Sequence, residues 1–202
     1  MLDKLEAVNR SLQAIGESRV NSLKSGLPDA AEAEVVLDEV KDEVLQVGWY
    51  ENTREEVRVK PEIQTGQIVI PQTWFHVETT WKSANVGKVI TKVDPSDNLR
   101  KLFEVNEQTY AFQDEIYLKV IMSMSFGEMT FPLRNYVSAK AARVFQERVM
   151  GSVSLDSFTV RSEADAWAKL LDAEAEIAEN NALIDSPYMR EITGRNNRLT
   201  WR

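Results

Sequence analysis

The sequence pattern changes at the end of residues 28–49, PDAAEAEVVLDEVKDEVLQVGW. Up to this point the apolar residues have helical spacing, and beyond it their spacing is typical of strands. Asp29 suits an N-cap position, and Glu32 lies three residues further on, at capping-box spacing. The sequence therefore predicts a helix that follows Pro28 and ends at Gly48. Four valines, three or four residues apart, share its apolar face: Val36, Val40, Val44 and Val47.

A first and a third helix are predicted on either side of this one. In the first, leucine, valine and isoleucine recur at helical spacing from Leu2 to the stop at Gly16. The third begins near Pro132, which suits a first helical turn, and it ends at Gly151. Both helices are long enough to bury an apolar face against the helix between them.

A fourth helix is predicted near the end of the chain. Ser162, with Asp165 three residues later, is typical of a helix start, and Ser186-Pro187 is typical of a stop. The helix between them is rich in alanine and glutamate. Its apolar stripe is Trp167, Leu170, Leu171 and Ile177.

Short strand-like runs fill the middle of the sequence. They are rich in β-branched and aromatic residues, and turn residues such as Thr65-Gly66 and Asp94-Pro95 separate them. Five to seven short strands at this spacing predict a small β-sandwich or barrel. The runs are 57–59, 67–70, 74–81, 86–93, 102–105 and 116–126.

The order of the elements is helices, strands and then helices again. The simplest architecture with this order is an α+β protein in which residues 1–50 and 131–187 form a four-helix bundle. Residues 51–130 are then an inserted β domain, whose two ends must lie close together. Residues 188–202 have no helical stripe, and we expect an extended C-terminal arm.

Composition excludes several classes of function. The chain has 202 residues, 24 basic and 32 acidic, which gives a net charge of −8 and an isoelectric point near 4.9. It has no cysteine, so disulfides and cysteine-based metal or redox sites are excluded. An acidic field repels phosphate and disfavours a DNA-coating role. No apolar run approaches the ~20 residues of a membrane span, and the start is unlike a signal sequence, so we expect a soluble protein that folds in the cytoplasm.

Signals for catalysis are weak. His76 is the one histidine, and we interpret it as a structural residue within a strand. No glycine-rich nucleotide motif and no nucleophile elbow occurs. We therefore predict no enzyme, no cofactor and no metal. The alternative is a glycan-degrading hydrolase, because some pair among 32 carboxylates could lie about 5 to 9.5 Å apart across a cleft.

Two of the predicted helices have surfaces of opposite charge. The second helix is acidic opposite its valines, and the third helix is basic. The acidic face either confers solubility or lines a DNA channel to which the duplex does not adhere. The two faces either pair within one chain or meet across the boundary between two copies. The candidate interface residues are Arg134, Lys140, Arg143, Arg148, Asp38 and Asp42.

The C-terminal segment is basic and ends in tryptophan and arginine, residue types that are enriched among interface anchors. It is either an arm that docks on a partner or a frayed terminus. The candidate docking residues are Arg195, Arg198, Trp201 and Arg202.

An ordered set of short strings carries a family resemblance. The strings are Ala7-Val8-Asn9, Ala14-Ile15-Gly16-Glu17, Val20, Ser22-Leu23, Gln46-Val47-Gly48-Trp49, Phe126-Gly127-Glu128-Met129, Arg134, Tyr136-Val137, Ala142-Arg143, Phe145-Gln146 and Gly151. In this order they resemble the tail tubular protein A family, the head-to-tail adaptors, or gatekeepers, of short-tailed phages. The resemblance covers both helical parts, whereas the β insertion matches in placement and length only. The family often has proline directly after the Glu-Met pair, and here Thr130-Phe131 intervene.

The resemblance implies a structural virion protein of the phage tail, assembled in the cytoplasm of the bacterial host. Members form a dodecameric ring beneath the portal, connect it to the tail nozzle, and leave a channel that double-stranded DNA passes without sequence-specific contact. Twelve copies would carry 12 × −8, or −96, which fits a channel to which DNA does not adhere. We expect residues 195–202 to dock on the portal, and we expect no membrane partner. A monomeric module that binds a host protein is a further alternative.

Overall fold

The computed structural model describes residues 2–83, 86–151 and 153–185, and within the last range it describes side chains from 159 to 178. The predicted C-terminal arm, 188–202, lies outside the described residues, and so does the predicted stop at Ser186-Pro187. The candidate docking residues in that arm are Arg195, Arg198, Trp201 and Arg202.

The described residues form four helices, which we label α1 (Lys4–Ala14), α2 (Pro28–Leu45), α3 (Phe131–Val149) and α4 (Val153–Asp185). The sequence explains how they begin and end. Asp3 caps α1, because its carboxylate accepts a hydrogen bond from the Glu6 N–H at 2.8 Å. Gly16, with a φ of 84°, ends the turn that follows α1. α2 and α3 each have a proline in the first turn, which the sequence predicts for α3.

Two details of the α2 prediction are wrong. Asp29 does not cap the helix: Leu27 occupies the N-cap position, without a side-chain hydrogen bond, because Pro28 already takes up the first helical position. Asp29 lies in the first turn, where its negative charge interacts favourably with the helix dipole. At the other end α2 stops at Leu45, so Val47 is 66% exposed and does not continue the buried stripe.

The predicted start of the last helix is also wrong, and its predicted apolar stripe is buried only in part. α4 begins two residues after Gly151, and Ser162 is an exposed residue inside it. α4 packs on α3, and Ala166 and Leu170 are buried there. Leu170 and Leu171 point about 100° apart around a helix, so only one of them can face α3. The stripe residues left exposed are Trp167, Leu171 and Ile177.

In the part of the chain that the structure describes, five strands form two antiparallel sheets. We label them β1 (Thr53–Val59), β2 (Trp74–Thr79), β3 (Val89–Val93), β4 (Arg100–Glu104) and β5 (Ile116–Met122). β5 is the central strand of the first sheet and pairs with β1 on one side and β2 on the other. β3 pairs with β4 in the second sheet. A single turn of 3₁₀ helix, Trp81–Ser83, follows β2.

The predicted run 67–70 does not form a strand, although it lies beside β4. The Ile68 carbonyl accepts a hydrogen bond from the Leu102 N–H at 2.9 Å, and the Ile70 N–H donates to the Arg100 carbonyl at 2.8 Å. These bonds place the run along the outer edge of the second sheet without extending its ladder. The two sheets do not close into a barrel in the described part of the chain, so the barrel alternative is wrong, and the sandwich stays a prediction.

Two hydrophobic clusters divide the molecule into a helical unit, α1 to α4, and a β unit, β1 to β5. In the helical unit α3 packs against each of the other three helices, and Leu133 and Phe145 are fully buried. In the β unit both sheets contribute to one cluster, which includes Val77, Leu102 and Leu118. Two separate cores favour the division into domains, whose exact boundaries stay a prediction. None of the described helices is long and apolar enough to cross a membrane.

Candidate assembly surfaces and the neck between the units

Two segments connect the helical unit to the β unit, and we call them the neck: residues 48–53 lead into the β unit, and residues 121–131 lead back. They run side by side, because Thr53 pairs with Ile121 at the start of the β1–β5 ladder. The prediction that the two ends of the insertion lie close together is confirmed.

A buried asparagine joins the two segments of the neck. The Asn52 side-chain amide donates hydrogen bonds to the carbonyls of Leu45 and Met122, each at 2.8 Å. Its side-chain oxygen accepts the N–H of Trp49 at 2.7 Å. One side chain therefore connects the end of α2 to the end of β5. Because Asn52 is buried, removing its amide would leave these backbone groups without a partner or water.

A carboxylate makes a second connection across the neck. Glu51 accepts hydrogen bonds from the N–H of Thr130 at 2.8 Å and from its hydroxyl at 2.9 Å. Thr130 is the N-cap of α3, so the Glu51 charge interacts favourably with the positive end of that helix. Glu128 lies two residues before Thr130, and hydrogen bonds from the side chain and the backbone of Ser125 lower its pKa. Both contacts fix the path from the β unit into α3.

Close packing limits movement at the neck. Gly48 has a φ of 86°, which favours glycine, and a Cβ there would lie 2.7 Å from Cδ1 of Ile121, so the isoleucine side chain would have to shift. The Trp49 indole N–H donates to the Val44 carbonyl at 2.8 Å. The Trp49 ring meets the edge of Trp167 on α4, with ring centroids 5.7 Å apart.

α4 also contacts the neck through Glu174. Its carboxylate accepts the Tyr50 N–H at 3.2 Å. Burial raises the pKa of Glu174, and the nearby Glu51 charge raises it further, while the hydrogen bond from Tyr50 opposes this. Since Trp167 also packs on Tyr136, at 4.9 Å between ring centroids, α4 is fixed to both α3 and the neck.

Within one chain, the basic helix α3 forms ion pairs with the acidic helix α2. Lys140 lies 2.8 Å from Glu43, and Arg148 lies 2.8 Å from Glu39. This is the intrachain arrangement that the sequence left open as one of two alternatives. Arg148 and Glu39 are 49% and 51% exposed, so a neighbouring molecule can reach this pair.

The two candidate aspartates on α2 also have partners within the chain. Asp38 lies 2.9 Å from the ammonium of Lys4 in α1 and 3.6 Å from that of Lys41. Asp42 lies 3.4 Å from Lys41. The acidic face of α2 is therefore partly neutralised by its own chain.

The last two candidates hold α3 against its neighbours. Arg143 forms an ion pair with Glu163 of α4 and lies 3.2 Å from Glu147. Arg134 is buried and donates to the Leu2 carbonyl at 3.0 Å. Of the six candidates, Arg148 is the basic residue that is most accessible from outside.

The histidine lies on β2, but its side chain is exposed, which corrects the expectation of a structural residue within the strand. His76 lines a cavity of about 520 Å³ between β2 and β3, together with Glu78 and Lys88. Over residues 2–83, 86–151 and 153–185, no three His, Asp or Glu side chains come together as metal ligands would.

Sequence reasoning missed a buried ion pair in the β unit. Lys101 on β4 is 2% exposed, and its ammonium lies 2.8 Å from Asp94 and also contacts Asp97. The hydrogen bond from Lys101, with two more from Ser96, lowers the pKa of Asp94 to about 2. Burial alone would lower the pKa of Lys101, but the two carboxylates outweigh it and raise the pKa. The available signal was the spacing of Lys101, four residues after Asp97.

Arg100 was missed as well, and it connects the two sheets. Its guanidinium donates to the Trp74 carbonyl of β2 at 2.6 Å and to the Thr91 hydroxyl of β3 at 2.9 Å. β2 and β3 belong to different sheets and share no ladder. The planar arginine fork therefore replaces the backbone hydrogen bonds that these two strands do not make.

The strings that carry the family resemblance lie at these points of attachment. Asn9 donates to the Val20 carbonyl at 2.9 Å and accepts the Val20 N–H at 2.7 Å, which fixes the α1–α2 connection onto α1. Gly48-Trp49 and Glu128 belong to the neck. These three strings therefore contain residues that hold one segment of the chain against another.

In its described residues the chain is a mixed α/β protein with four helices and two small antiparallel sheets, whose helical unit and β unit are connected by the neck. Comparison of the sequence with models of known protein families identifies the family, which the fold alone does not. The family model for tail tubular proteins matches residues 5–180, and the chain belongs to this family. Membership supports a structural role in the phage tail and a place in the virion, as the resemblance predicted. A search among curated proteins finds no match.

Proposed function

We propose that this tail tubular protein is a ring-forming adaptor that joins the portal to the tail nozzle, supports tail assembly and leaves a channel for DNA. The observation that carries the proposal is the neck. Asn52 and Glu51 fix the β unit relative to the helical unit through hydrogen bonds of 2.7 to 2.9 Å. An adaptor between two different partners needs such a fixed relation, because a subunit seated on one partner must define where the other binds.

The net charge supports the proposed channel. Twelve copies with a charge of −8 each would total 12 × −8, or −96. DNA gains affinity chiefly from phosphate contacts with lysine and arginine, so an acidic wall leaves a duplex free to pass. We propose that the acidic face of α2 contributes to this field and makes no sequence-specific contact.

We propose that the charged faces of α2 and α3 also contribute to the boundary between subunits. The residues are those of the sequence prediction: Arg134, Lys140, Arg143, Arg148, Asp38 and Asp42. The pair Arg148–Glu39 is half exposed, so Arg148 can exchange its intrachain partner for a carboxylate of the next copy. Arg148→Glu should then prevent rings without unfolding the chain. Arg143→Glu is a poorer test, because it would also break the ion pair with Glu163.

The basic C-terminal segment is proposed to dock on the portal. Arginine and tryptophan are common anchors at interfaces, and this segment ends in Thr200-Trp201-Arg202. Replacing Arg195, Arg198, Trp201 and Arg202 by alanine should weaken portal binding and leave the folded chain unchanged by circular dichroism.

The test is to mix the purified chain with portal rings and to measure mass and stoichiometry by native mass spectrometry. The adaptor proposal predicts twelve copies on one portal, an added mass of 12 × 23.0, or about 276 kDa. A chain that stays monomeric and ignores the portal would favour a host-interaction module. Hydrolysis of polysaccharide that one carboxylate substitution removes would favour the hydrolase instead.

A further inference from the structure

The C-terminal half of α4 has a charge pattern that is unfavourable in an isolated chain. From residue 172 to residue 185 the sequence has five acidic residues and no basic residue. Asp172 and Glu176 are four residues apart, where like charges repel on one helix face. A positively charged partner would relieve this repulsion.

An exposed ridge on α4 presents this charge together with apolar side chains. Asp172 and Glu176 are exposed, and among the described residues neither has an ion-pair partner. Leu171 and Ile177 flank them and are also exposed. We call these four residues the acidic ridge. Glu174, between them, is turned to the neck and is already bonded to the Tyr50 N–H.

A complementary surface lies on β3, at the edge of the second sheet. Ile90 and Lys92 lie two residues apart on β3 and therefore project from the same face, and Lys88 directly precedes the strand. Both lysines are exposed, and neither has a carboxylate within ion-pair distance in the described part of the chain. Ile90 is 41% exposed. We call these three residues the basic edge.

We propose that the acidic ridge of one copy docks on the basic edge of the next copy. This inference rests on the proposed ring, for which it names a second contact between subunits. Two lysines face two carboxylates, so the two surfaces carry opposite charge. In one chain the two surfaces belong to different units and form no ion pair in the described residues. A contact between two different surfaces of the same chain is heterologous, and contacts of this kind, repeated from copy to copy, can close into a ring.

The basic edge has a simpler explanation, which the test must separate. Lysines on an edge strand prevent edge-to-edge aggregation. That role accounts for Lys88 and Lys92 but does not require the acidic ridge. Only direct docking predicts that reversing the charges on both surfaces together restores the contact that reversal on one surface breaks.

The experiment therefore uses charge reversal on each surface and then on both. Lys88→Glu with Lys92→Glu, and separately Asp172→Lys with Glu176→Lys, should each lower the number of copies on a portal ring at least tenfold at subunit concentrations that saturate the wild-type chain. The combined four-residue variant should regain most of the rings. The matched control is Lys24→Glu with Lys60→Glu, which changes two other exposed lysines and the same net charge and should leave rings intact.

The outcomes separate this docking from the adaptor function. Wild-type-like rings from either reversed variant, or no recovery in the combined variant, would overturn the docking and leave the adaptor function standing. Aggregation of the β3 variant alone, with normal rings from the α4 variant, would assign the lysines to edge protection. If the wild-type chain forms no ring with or without portal, the proposed function itself fails.

Discussion

The helical unit and the β unit are stabilised in different ways. The helical unit buries apolar side chains from all four helices around α3, and its ion pairs lie largely at the surface. The β unit has two small sheets, and it adds the buried Lys101–Asp94 ion pair and the Arg100 bridge between the sheets. The stability of the helical unit therefore depends mainly on packing, whereas that of the β unit also depends on ionised groups in a fixed geometry.

The largest effect is expected from a cavity in the helical core. Phe145→Ala should lower the free energy of unfolding of the helical unit by about 3–5 kcal/mol, because Phe145 is fully buried on α3. Hydrogen exchange should accelerate in the helices far more than in the strands. The matched control is Phe131→Ala at the exposed start of α3, where a change within about 0.5 kcal/mol is expected. Equal acceleration in both units would show that their cores are not separate.

The next largest effect should come from the neck. Asn52→Ala removes three buried hydrogen bonds and should destabilise the chain by about 2–4 kcal/mol. The two units should then melt in separate calorimetric transitions. Asn106→Ala, at an exposed position in the β unit, is the control. A single unchanged transition in Asn52→Ala would argue against the neck as the connection between the units.

Acid should weaken the β unit before the helical unit. The pKa of Asp94 is about 2 in the folded chain, below its ordinary value of 3.8, so its stabilising contribution is complete above about pH 5 and is lost as the pH falls towards 2. The pKa of Glu174, in the helical unit, is shifted in the opposite direction, so this group does not weaken its unit on acidification. Urea unfolding, followed separately for the two units by hydrogen exchange from pH 5 to pH 2.5, measures this. Asp94→Asn should flatten the profile of the β unit, and an unchanged profile would exclude Asp94 as its cause.

The smallest effect is expected at the surface of the helical unit. Arg148→Ala removes one half-exposed ion pair and should cost less than about 1 kcal/mol. Its thermal midpoint should therefore stay close to that of the wild-type chain. A loss comparable to that of Phe145→Ala would show that charge, and not packing alone, stabilises the helical unit.

Local sequence patterns predicted elements better than the contacts between them. Gly48 marked the change from helix to strand because glycine tolerates a positive φ, and Pro132 marked the start of α3 because proline suits a first turn. Ser162 was misleading, because it resembles a cap but lies inside a longer helix. A capping pattern reflects the local sequence alone, whereas packing of α4 on α3 extends the helix to residues before Ser162.

The residues that fix the neck and the β unit could not be predicted in the same way. Asn52 bonds to Leu45 and Met122, and no local spacing connects positions 70 residues apart in sequence. Lysine is almost always exposed, so the burial of Lys101 depends on two carboxylates that the fold brings to it. The family strings located part of the neck, at Gly48-Trp49 and Glu128, without indicating what these residues do.

The adaptor function is tested most directly by producing phage particles that lack this chain and imaging them by electron microscopy. If the chain is the adaptor, these particles should have heads with a portal but no nozzle and should lose their packaged DNA. Supplying the wild-type chain should restore tails, whereas supplying a folded variant that cannot form rings should not. Complete tails on DNA-filled particles in the absence of the chain would contradict the account.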